Sequence, residues 1–72
     1  MVNTIASERA RIGLSQNKLA SMIGKSRKTI IRWESDPLSI TGEGLCKLSK
    51  LFNCSVDYLL GLTDERVPHW HN

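Results

Sequence analysis

Apolar residues recur at intervals of three and four along most of this chain, which is the spacing of one face of an α-helix. Strict alternation of apolar and polar residues, as in a half-buried strand, does not compete with this pattern. The pattern predicts five short helices, at residues 4–12, 16–23, 27–35, 42–53 and 56–60. Helices of this length are marginal alone. We therefore expect an all-α, compact five-helix bundle held together by mutual packing.

Residues at the ends of these segments support the predicted boundaries. Residues that can cap a helix N-terminus stand just before the helices: Asn3, Ser15, Ser26, Thr41 and Ser55. Gly13, Gly24 and Gly61 follow three helices, and glycine readily adopts the left-handed conformation found at helix ends. Residues 15–34 therefore predict two helices joined by a tight turn at Gly24, with the small Ala20 allowing a close crossing.

The apolar positions are expected to form one core. Its predicted members are Ile5, Ile12, Leu14, Leu19, Ala20, Ile23, Ile30, Trp33, Leu45, Leu48, Leu51, Phe52, Val56, Leu59 and Leu60. Cys46 lies within the fourth helix, where we interpret it as a small core residue. Neither Cys46 nor Cys54 belongs to a CxxC pair, so we expect reduced thiols and no structural zinc.

Composition adds to this picture mainly through the distribution of charge. A chain of 72 residues has room for one domain, placed at residues 1–61. Residues 62–72 contain Pro68 and no helical stripe, and are predicted to form a C-terminal tail. The net charge is +3, with a balance of +5 in residues 1–34 and −2 in residues 35–72. The first half would therefore face a polyanion.

Several classes of function are not indicated. No apolar run approaches the ~18 residues of a membrane span, and the N-terminus lacks a secretory signal, so we expect a cytoplasmic protein without a membrane partner. No carboxylate pair, glycine-rich phosphate loop or histidine lies in the predicted helices, so no enzyme, catalytic residue or cofactor is expected. His69 and His71 flank Trp70 in a pattern that can bind metal, but we interpret them as part of an exposed tail and predict no metal site.

The third predicted helix has a cationic side. One arc of its helical wheel contains no acidic residue. The members of this arc are Arg27, Lys28, Ile31, Arg32 and Ser35. Most charged helix faces are simply solvated, but ordinary surface helices mix both signs and gain i,i+4 ion pairs. A cationic face on the second helix of a helix-turn-helix pattern favours contact with the major groove of DNA.

Two charged residues interrupt the inward-facing stripes. Arg9 lies between Ile5 and Ile12 in the first helix, and Glu34 lies on the inward side of the third. Each would be costly to bury alone, whereas together they can pair. We predict an Arg9–Glu34 ion pair that orients the two helices. The alternative is that both side chains extend to water.

Two blocks of the chain resemble the phage repressor and Cro-like helix-turn-helix domains, the xenobiotic-response-element class of lambda repressor-like folds. These blocks are GLSQNKLASMIGKSRKTIIRWE at residues 13–34 and LCKLSKLFNCSVDYLLG at residues 45–61, and the resemblance spans residues 4–61. It implies a five-helix bundle, in agreement with the helical pattern, and a DNA-binding function. The chain departs from the family in the segment SDPLSIT, where Asp36 and the lack of a cation weaken the case for backbone contacts.

The resemblance also implies roles for individual residues. Gln16 would contact a DNA phosphate, so its replacement is expected to weaken binding to all sequences alike. The predicted phosphate contacts are Gln16, Ser26, Ser35 and Lys18. The predicted base contacts are Arg27, Lys28, Arg32 and Ile31. The arginines would read guanine. Ile31 is included only because it lies in the exposed arc of the helix. It would either touch a thymine methyl or be a partly covered surface residue.

Together these features predict a sequence-specific double-stranded DNA-binding transcriptional regulator, a repressor, that inserts its third helix into the major groove. Such domains commonly bind inverted-repeat operators as homodimers, and Tyr58, Leu62 and Val67 in and after the fifth helix are candidate interface residues. The alternative is an antitoxin-like or other protein-interaction module of the same fold, with a protein partner. Salt dependence of binding to random duplex DNA would separate the two.

Overall fold

Five α-helices and one 3₁₀ turn make up residues 4–66, the part of the chain that the computed structural model describes. The helices are α1 (Thr4–Arg11), α2 (Gln16–Ile23), α3 (Arg27–Ser35), α4 (Gly42–Phe52) and α5 (Val56–Leu59). All five predicted helices are present, and the predicted all-α bundle is confirmed. The 3₁₀ turn at Pro37–Ser39, between α3 and α4, was not predicted. Proline suits its first position because the ring presets the backbone φ angle.

Side-chain caps determine where four of the helices begin. The hydroxyls of Ser15, Ser26, Thr41 and Ser55 each accept a hydrogen bond from the backbone N–H three residues later. Each cap stabilises its helix by about 1 kcal/mol, which matters because the helices have at most 11 residues. Asn3, the predicted cap of α1, lies outside the described residues.

Left-handed residues end α2 and α4. Gly24 has φ 73° and ψ 33°, as the tight turn into α3 requires, and the Lys25 N–H donates to the Ala20 carbonyl at 2.8 Å across it. Asn53 has φ 55° and ψ 51° and ends α4 one residue before the predicted boundary. Asparagine visits this conformation more readily than most residues because its short polar side chain can hydrogen-bond locally.

The core lies where the five helices meet. Its buried residues are Ile5, Leu19, Ala20, Ile23, Ile30, Trp33, Ile40, Leu48, Phe52, Cys54 and Leu59. α3 packs against α2 and α1, α4 packs against α2 and α5, and α5 closes the bundle against α1. The remaining helices thus hold α2 and α3 as a fixed pair with one side of α3 left uncovered.

The prediction that Ile12 is a core residue is wrong. Its side chain is 36% exposed. α1 ends at Arg11, so Ile12 belongs to the following turn, where helical spacing no longer directs it inward. Leu14 packs against the core at this end of the helix.

The interpretation of Cys46 as a core residue is also wrong. Cys46 is exposed, because the buried stripe of α4 runs through Gly44, Leu48 and Phe52 and Cys46 lies on the other side of the helix. The buried thiol is that of Cys54, in the turn after α4.

Gly44 allows the start of α4 to approach Trp33 directly. A Cβ at this position would lie 2.5 Å from Trp33 Cη2 and 3.1 Å from Ile40 Cγ2. We expect Gly44→Ala to lower the free energy of unfolding by about 1–3 kcal/mol, since an overpacked core must shift a rigid ring. At Gly42 a Cβ meets no atom within 4 Å, so Gly42→Ala should raise stability by about 0.5 kcal/mol. Urea unfolding followed by circular dichroism measures both, and equal effects would contradict the close approach.

Candidate nucleic-acid interface

Helix α3 turns one side to the core and the other to solvent. Its buried residues are Ile30, Trp33 and Glu34. Its exposed residues include all four predicted base contacts, which we call the α3 face: Arg27, Lys28, Ile31 and Arg32. Ile31 is 45% exposed, so an apolar surface lies among three cations.

The α3 face keeps most of its positive charge. The side chains of Lys28 and Arg32 have no hydrogen-bond or ion-pair partner within residues 4–66. Arg27 donates from Nε to Gln16 Oε1 at 3.3 Å, and this partner is uncharged. The acid of α3, Glu34, is buried and paired with Arg9. The face is therefore available to an anionic partner.

The N-terminus of α2 borders the α3 face. An open depression here is lined by Arg9, Ser15, Gln16, Asn17 and Arg27. A helix N-terminus carries a partial positive charge and unsatisfied N–H groups, and the guanidinium group of Arg27, whose hydrogen-bond partner is uncharged, adds to this potential. The depression is therefore suited to an anion such as a phosphate.

The other predicted phosphate contacts differ in whether their side chains already form hydrogen bonds within the protein. The Lys18 side chain is exposed and has no partner in the described part of the chain. Ser26 Oγ caps α3 by accepting from the Thr29 N–H at 3.2 Å and also hydrogen-bonds to Thr29 Oγ1 at 3.1 Å. Ser35 Oγ donates to the Arg32 carbonyl at 3.0 Å. A phosphate would therefore share or replace the bonds of both serine hydroxyls.

The predicted ion pair between Arg9 and Glu34 is present in the structure. Arg9 Nε donates to Glu34 Oε2 at 2.7 Å, and Arg9 Nη1 donates to the Leu14 carbonyl at 2.8 Å. The Glu34 side chain is only 8% exposed, so it does not extend to water. A pair of this kind adds little net stability but is costly to break, and here it ties α1 to the end of α3.

The half-buried Gln16 side chain is hydrogen-bonded through both ends of its amide group. Its Nε2 donates to Glu34 Oε1 at 2.9 Å, and its Oε1 accepts from Arg27 Nε. The sequence assigned it only a contact with phosphate. The structure instead places it between a buried carboxylate and the first residue of α3.

Two other cations near the turn share one carboxylate, that of Glu43. Lys25 Nζ lies 3.3 Å from Glu43 Oε1, and Lys47 Nζ lies 3.7 Å from Glu43 Oε2. Lys47 also donates to the Ile23 carbonyl at 3.3 Å. The hydrogen bond from Lys25 and the charges of both lysines lower the pKa of Glu43. These lysines are therefore less available to a polyanion than the α3 face.

Sequence analysis missed a second buried charge cluster, which includes no residue of α3. Glu8 is 3% exposed and accepts from Arg66 Nε and Nη2 at 2.8–3.1 Å and from Arg11 Nε at 3.0 Å. Both arginines also donate to the Phe52 carbonyl at the end of α4, and the Ser55 N–H donates to the Arg66 carbonyl. Arg66, in the segment predicted to be a tail, thus packs onto the bundle. The sequence contained a sign of this cluster, because Glu8 lies three residues after Ile5 and Arg9 four, so both fall on the inward-facing side of α1.

The charge of Glu8 should make stability depend on pH. Burial raises the pKa of Glu8, but hydrogen bonds from Arg66 and Arg11 outweigh it and hold the pKa below the usual 4.5. A lowered pKa in the folded state means that the contribution is present above 4.5 and is lost as the pH falls through the folded value. We expect the stability difference between the wild type and Glu8→Gln to shrink as the pH falls below about 4.5. Urea unfolding from pH 7 to pH 3 measures it, with Asp64→Asn as a control at an exposed carboxylate that has no partner among the described residues; a constant difference for Glu8→Gln would contradict the assignment.

The described residues indicate neither a membrane span nor a metal centre. None of the helices is sufficiently long and apolar to cross a membrane. Residues 4–66 contain no group of three or more His, Cys, Asp and Glu that could hold a metal ion. His69 and His71 lie outside these residues.

Comparisons with known proteins point to the same part of the chain. The family described as helix-turn-helix matches residues 5–59. Over 60 residues, or 83% of the chain, the sequence is 38% identical to repressor protein C2 of Salmonella phage P22. The matched segment is 28% of that repressor, so the chain spans less than a third of the length of this relative. No solved structure matches significantly.

Proposed function

The chain belongs to the helix-turn-helix family, as its resemblance to phage repressor domains predicted, and we propose that it binds double-stranded DNA and regulates transcription as a repressor. In this proposal α3 enters the major groove and α2 crosses the backbone. The protein acts in the cytoplasm of a prokaryotic or phage-infected cell, where this DNA is accessible.

The observation that carries the proposal is the uncompensated charge of the α3 face. Three cations and one apolar side chain are exposed along one helix, and the acid of that helix is buried. A surface selected only for solubility would mix charges of both signs. The major groove offers phosphates at its edges and guanine acceptors and thymine methyls on its floor, which fit this combination.

The exposed side chains divide into two roles. Arg27 and Arg32 read guanine through O6 and N7, Lys28 contacts a base or a phosphate, and Ile31 meets a thymine methyl. The depression at the N-terminus of α2 receives a phosphate, assisted by the exposed Lys18. Gln16 has a second amide hydrogen that remains available for this phosphate.

Salt titration of DNA binding tests the proposal. Log affinity for random duplex DNA should fall linearly with log salt, with a slope that reports the number of phosphates contacted. Selection of binding sites from random DNA should then yield a preferred sequence. A protein-interaction module of the same fold, antitoxin-like or otherwise, would show weak binding at every salt concentration and no selected sequence.

We also propose that the protein acts as a homodimer on an inverted-repeat operator, with half-sites about one helical turn apart. Leu62, just after α5, is 71% exposed and is available for such an interface. Tyr58 packs partly against the core, and Val67 lies outside the described residues. Sedimentation with and without operator DNA tests the dimer, and a persistent one-to-one complex on an inverted repeat would rule it out.

A further inference from the structure

A continuous chain of hydrogen bonds leads from the interior to the α3 face. Glu34 uses its two oxygens on different partners: Oε2 accepts from Arg9 Nε at 2.7 Å, and Oε1 accepts from Gln16 Nε2 at 2.9 Å. Gln16 Oε1 then accepts from Arg27 Nε at 3.3 Å. A buried carboxylate is thus connected to an exposed arginine of α3 through one glutamine.

The chemistry of the two ends determines the orientation of the glutamine between them. An ionised carboxylate only accepts hydrogen bonds, and a guanidinium only donates them. The Gln16 amide therefore satisfies both neighbours in one orientation, with its NH₂ group toward Glu34 and its oxygen toward Arg27. The reversed amide would place oxygen against oxygen and N–H against N–H.

This arrangement leaves the reading groups of Arg27 free. The bond to Gln16 uses Nε, whereas a bidentate contact to guanine O6 and N7 can be made with the two terminal nitrogens. The guanidinium group is thus restrained at Nε, while the edge that carries its two terminal nitrogens remains exposed. A preorganised arginine discriminates between bases better than a mobile one, because a mobile guanidinium can turn to other acceptors.

We propose that Glu34 and Gln16 are positioning residues for Arg27, and that they determine how strongly one base is preferred at the position that Arg27 reads. This inference rests on the proposed function, since it requires α3 in the major groove. It assigns the buried Glu34 an effect on base recognition in addition to its ion pair. It also assigns Gln16 an effect on sequence preference, where the sequence led us to expect a uniform contribution to affinity.

The first experiment compares Gln16→Leu with Asn17→Ala. Gln16→Leu removes both bonds of the glutamine and leaves the Arg9–Glu34 pair in place. Asn17 lines the same depression but has no hydrogen bond to Glu34 or Arg27. Affinities are measured at constant salt for the selected operator and its single-base-pair variants, and the position that Arg27 reads is the one where Arg27→Ala loses its preference.

Gln16→Leu should reduce the preference at that one position by about threefold or more, a part of the roughly 5- to 150-fold that a bidentate contact provides. Preferences at other positions should remain. Asn17→Ala should weaken binding to every operator by one common factor. In an Arg27→Ala background, adding Gln16→Leu should cause no further change at that position.

Glu34→Gln tests the interior end of the chain. In this variant the amide oxygen of residue 34 stays toward Arg9, so its NH₂ group faces Gln16. The Gln16 amide must then turn its oxygen toward residue 34. As a result its NH₂ group faces Arg27 Nε, and the hydrogen bond to Arg27 is lost. The preference at the Arg27 position should therefore fall as it does in Gln16→Leu. Thermal unfolding shows whether the Glu34→Gln variant is folded. If it is not folded, the proposal is tested by Gln16→Leu alone.

A measurement on the free protein makes the outcome independent of DNA. The Arg27 Nε–Hε group should show a higher ¹⁵N order parameter in the wild type and Asn17→Ala than in Gln16→Leu. If Gln16→Leu scales all affinities equally and leaves this order parameter unchanged, the positioning role is wrong, although base reading by Arg27 stands. If the wild type selects no sequence, the proposed function itself fails.

Discussion

Replacing Arg66 with alanine should lower the free energy of unfolding by about 2–3 kcal/mol, although Arg66 lies after the last helix. Loss of one partner from a buried ion pair costs about 3–5 kcal/mol. The expected value is smaller because Arg11 still pairs with Glu8 and the Arg66 side chain is 31% exposed. In a domain of this size the melting temperature should fall by about 10–20 °C. Thermal unfolding followed by circular dichroism measures this change.

Two further variants make the Arg66 result specific. Lys50→Ala removes an exposed cation that has no partner among the described residues, and should change stability by less than about 0.5 kcal/mol. A chain that ends at residue 61, the boundary predicted from sequence, should be destabilised as strongly as Arg66→Ala. If both Arg66→Ala and the shortened chain melt within about 2 °C of the wild type, residues 62–66 are not part of the cooperative unit.

Replacing Arg32 with alanine should lower affinity for the selected operator by about 5- to 150-fold for each half-site contacted, since a bidentate guanine contact is worth about 1–3 kcal/mol. Arg32 has no partner in the described structure, so its removal costs little in the free protein. The preference should be lost at one base pair per half-site. Fluorescence anisotropy on the operator and its single-base-pair variants measures both effects.

Lys50→Ala provides a control with the same change in charge. Lys50 is exposed on α4, outside the α3 face, and its removal should reduce affinity by less than about threefold with no change in base preference. Equal losses in Arg32→Ala and Lys50→Ala would indicate that only overall charge matters. The assignment of Arg32 to base reading would then be wrong.

Most of the fold was predictable from local signals. The caps at Ser15, Ser26, Thr41 and Ser55 and the left-handed Gly24 each involve residues within four or five positions of one another, so spacing along the chain reveals them. The errors at Ile12 and Cys46 arose where helical spacing was extended past a helix end or onto the wrong side of a helix. Spacing along one helix does not specify which of its residues contact the other helices.

Side-chain partners were predictable only where charge interrupted an apolar stripe. Arg9 and Glu34 both stand at inward positions and carry opposite charges, so their pairing followed from the cost of burying either alone. Glu8 satisfied the same condition, but its partner Arg66 is 58 positions away in a segment without any periodic pattern. Nothing near Arg66 in the chain indicates that it is half-buried.

Spacing along the chain specifies the helices, the turn between α2 and α3 and the cationic side of α3, because these depend on a 3.6-residue period and on contacts a few residues apart. Which of the cations remain available depends instead on how the helices pack in the folded chain. Glu43 pairs with Lys25 and Lys47, Glu8 pairs with Arg66, and the α3 face keeps Lys28 and Arg32 unpaired within residues 4–66. Spacing does not reveal these ion pairs, because the energy of an ion pair depends on distance and burial in the folded chain, neither of which is set by position along the sequence.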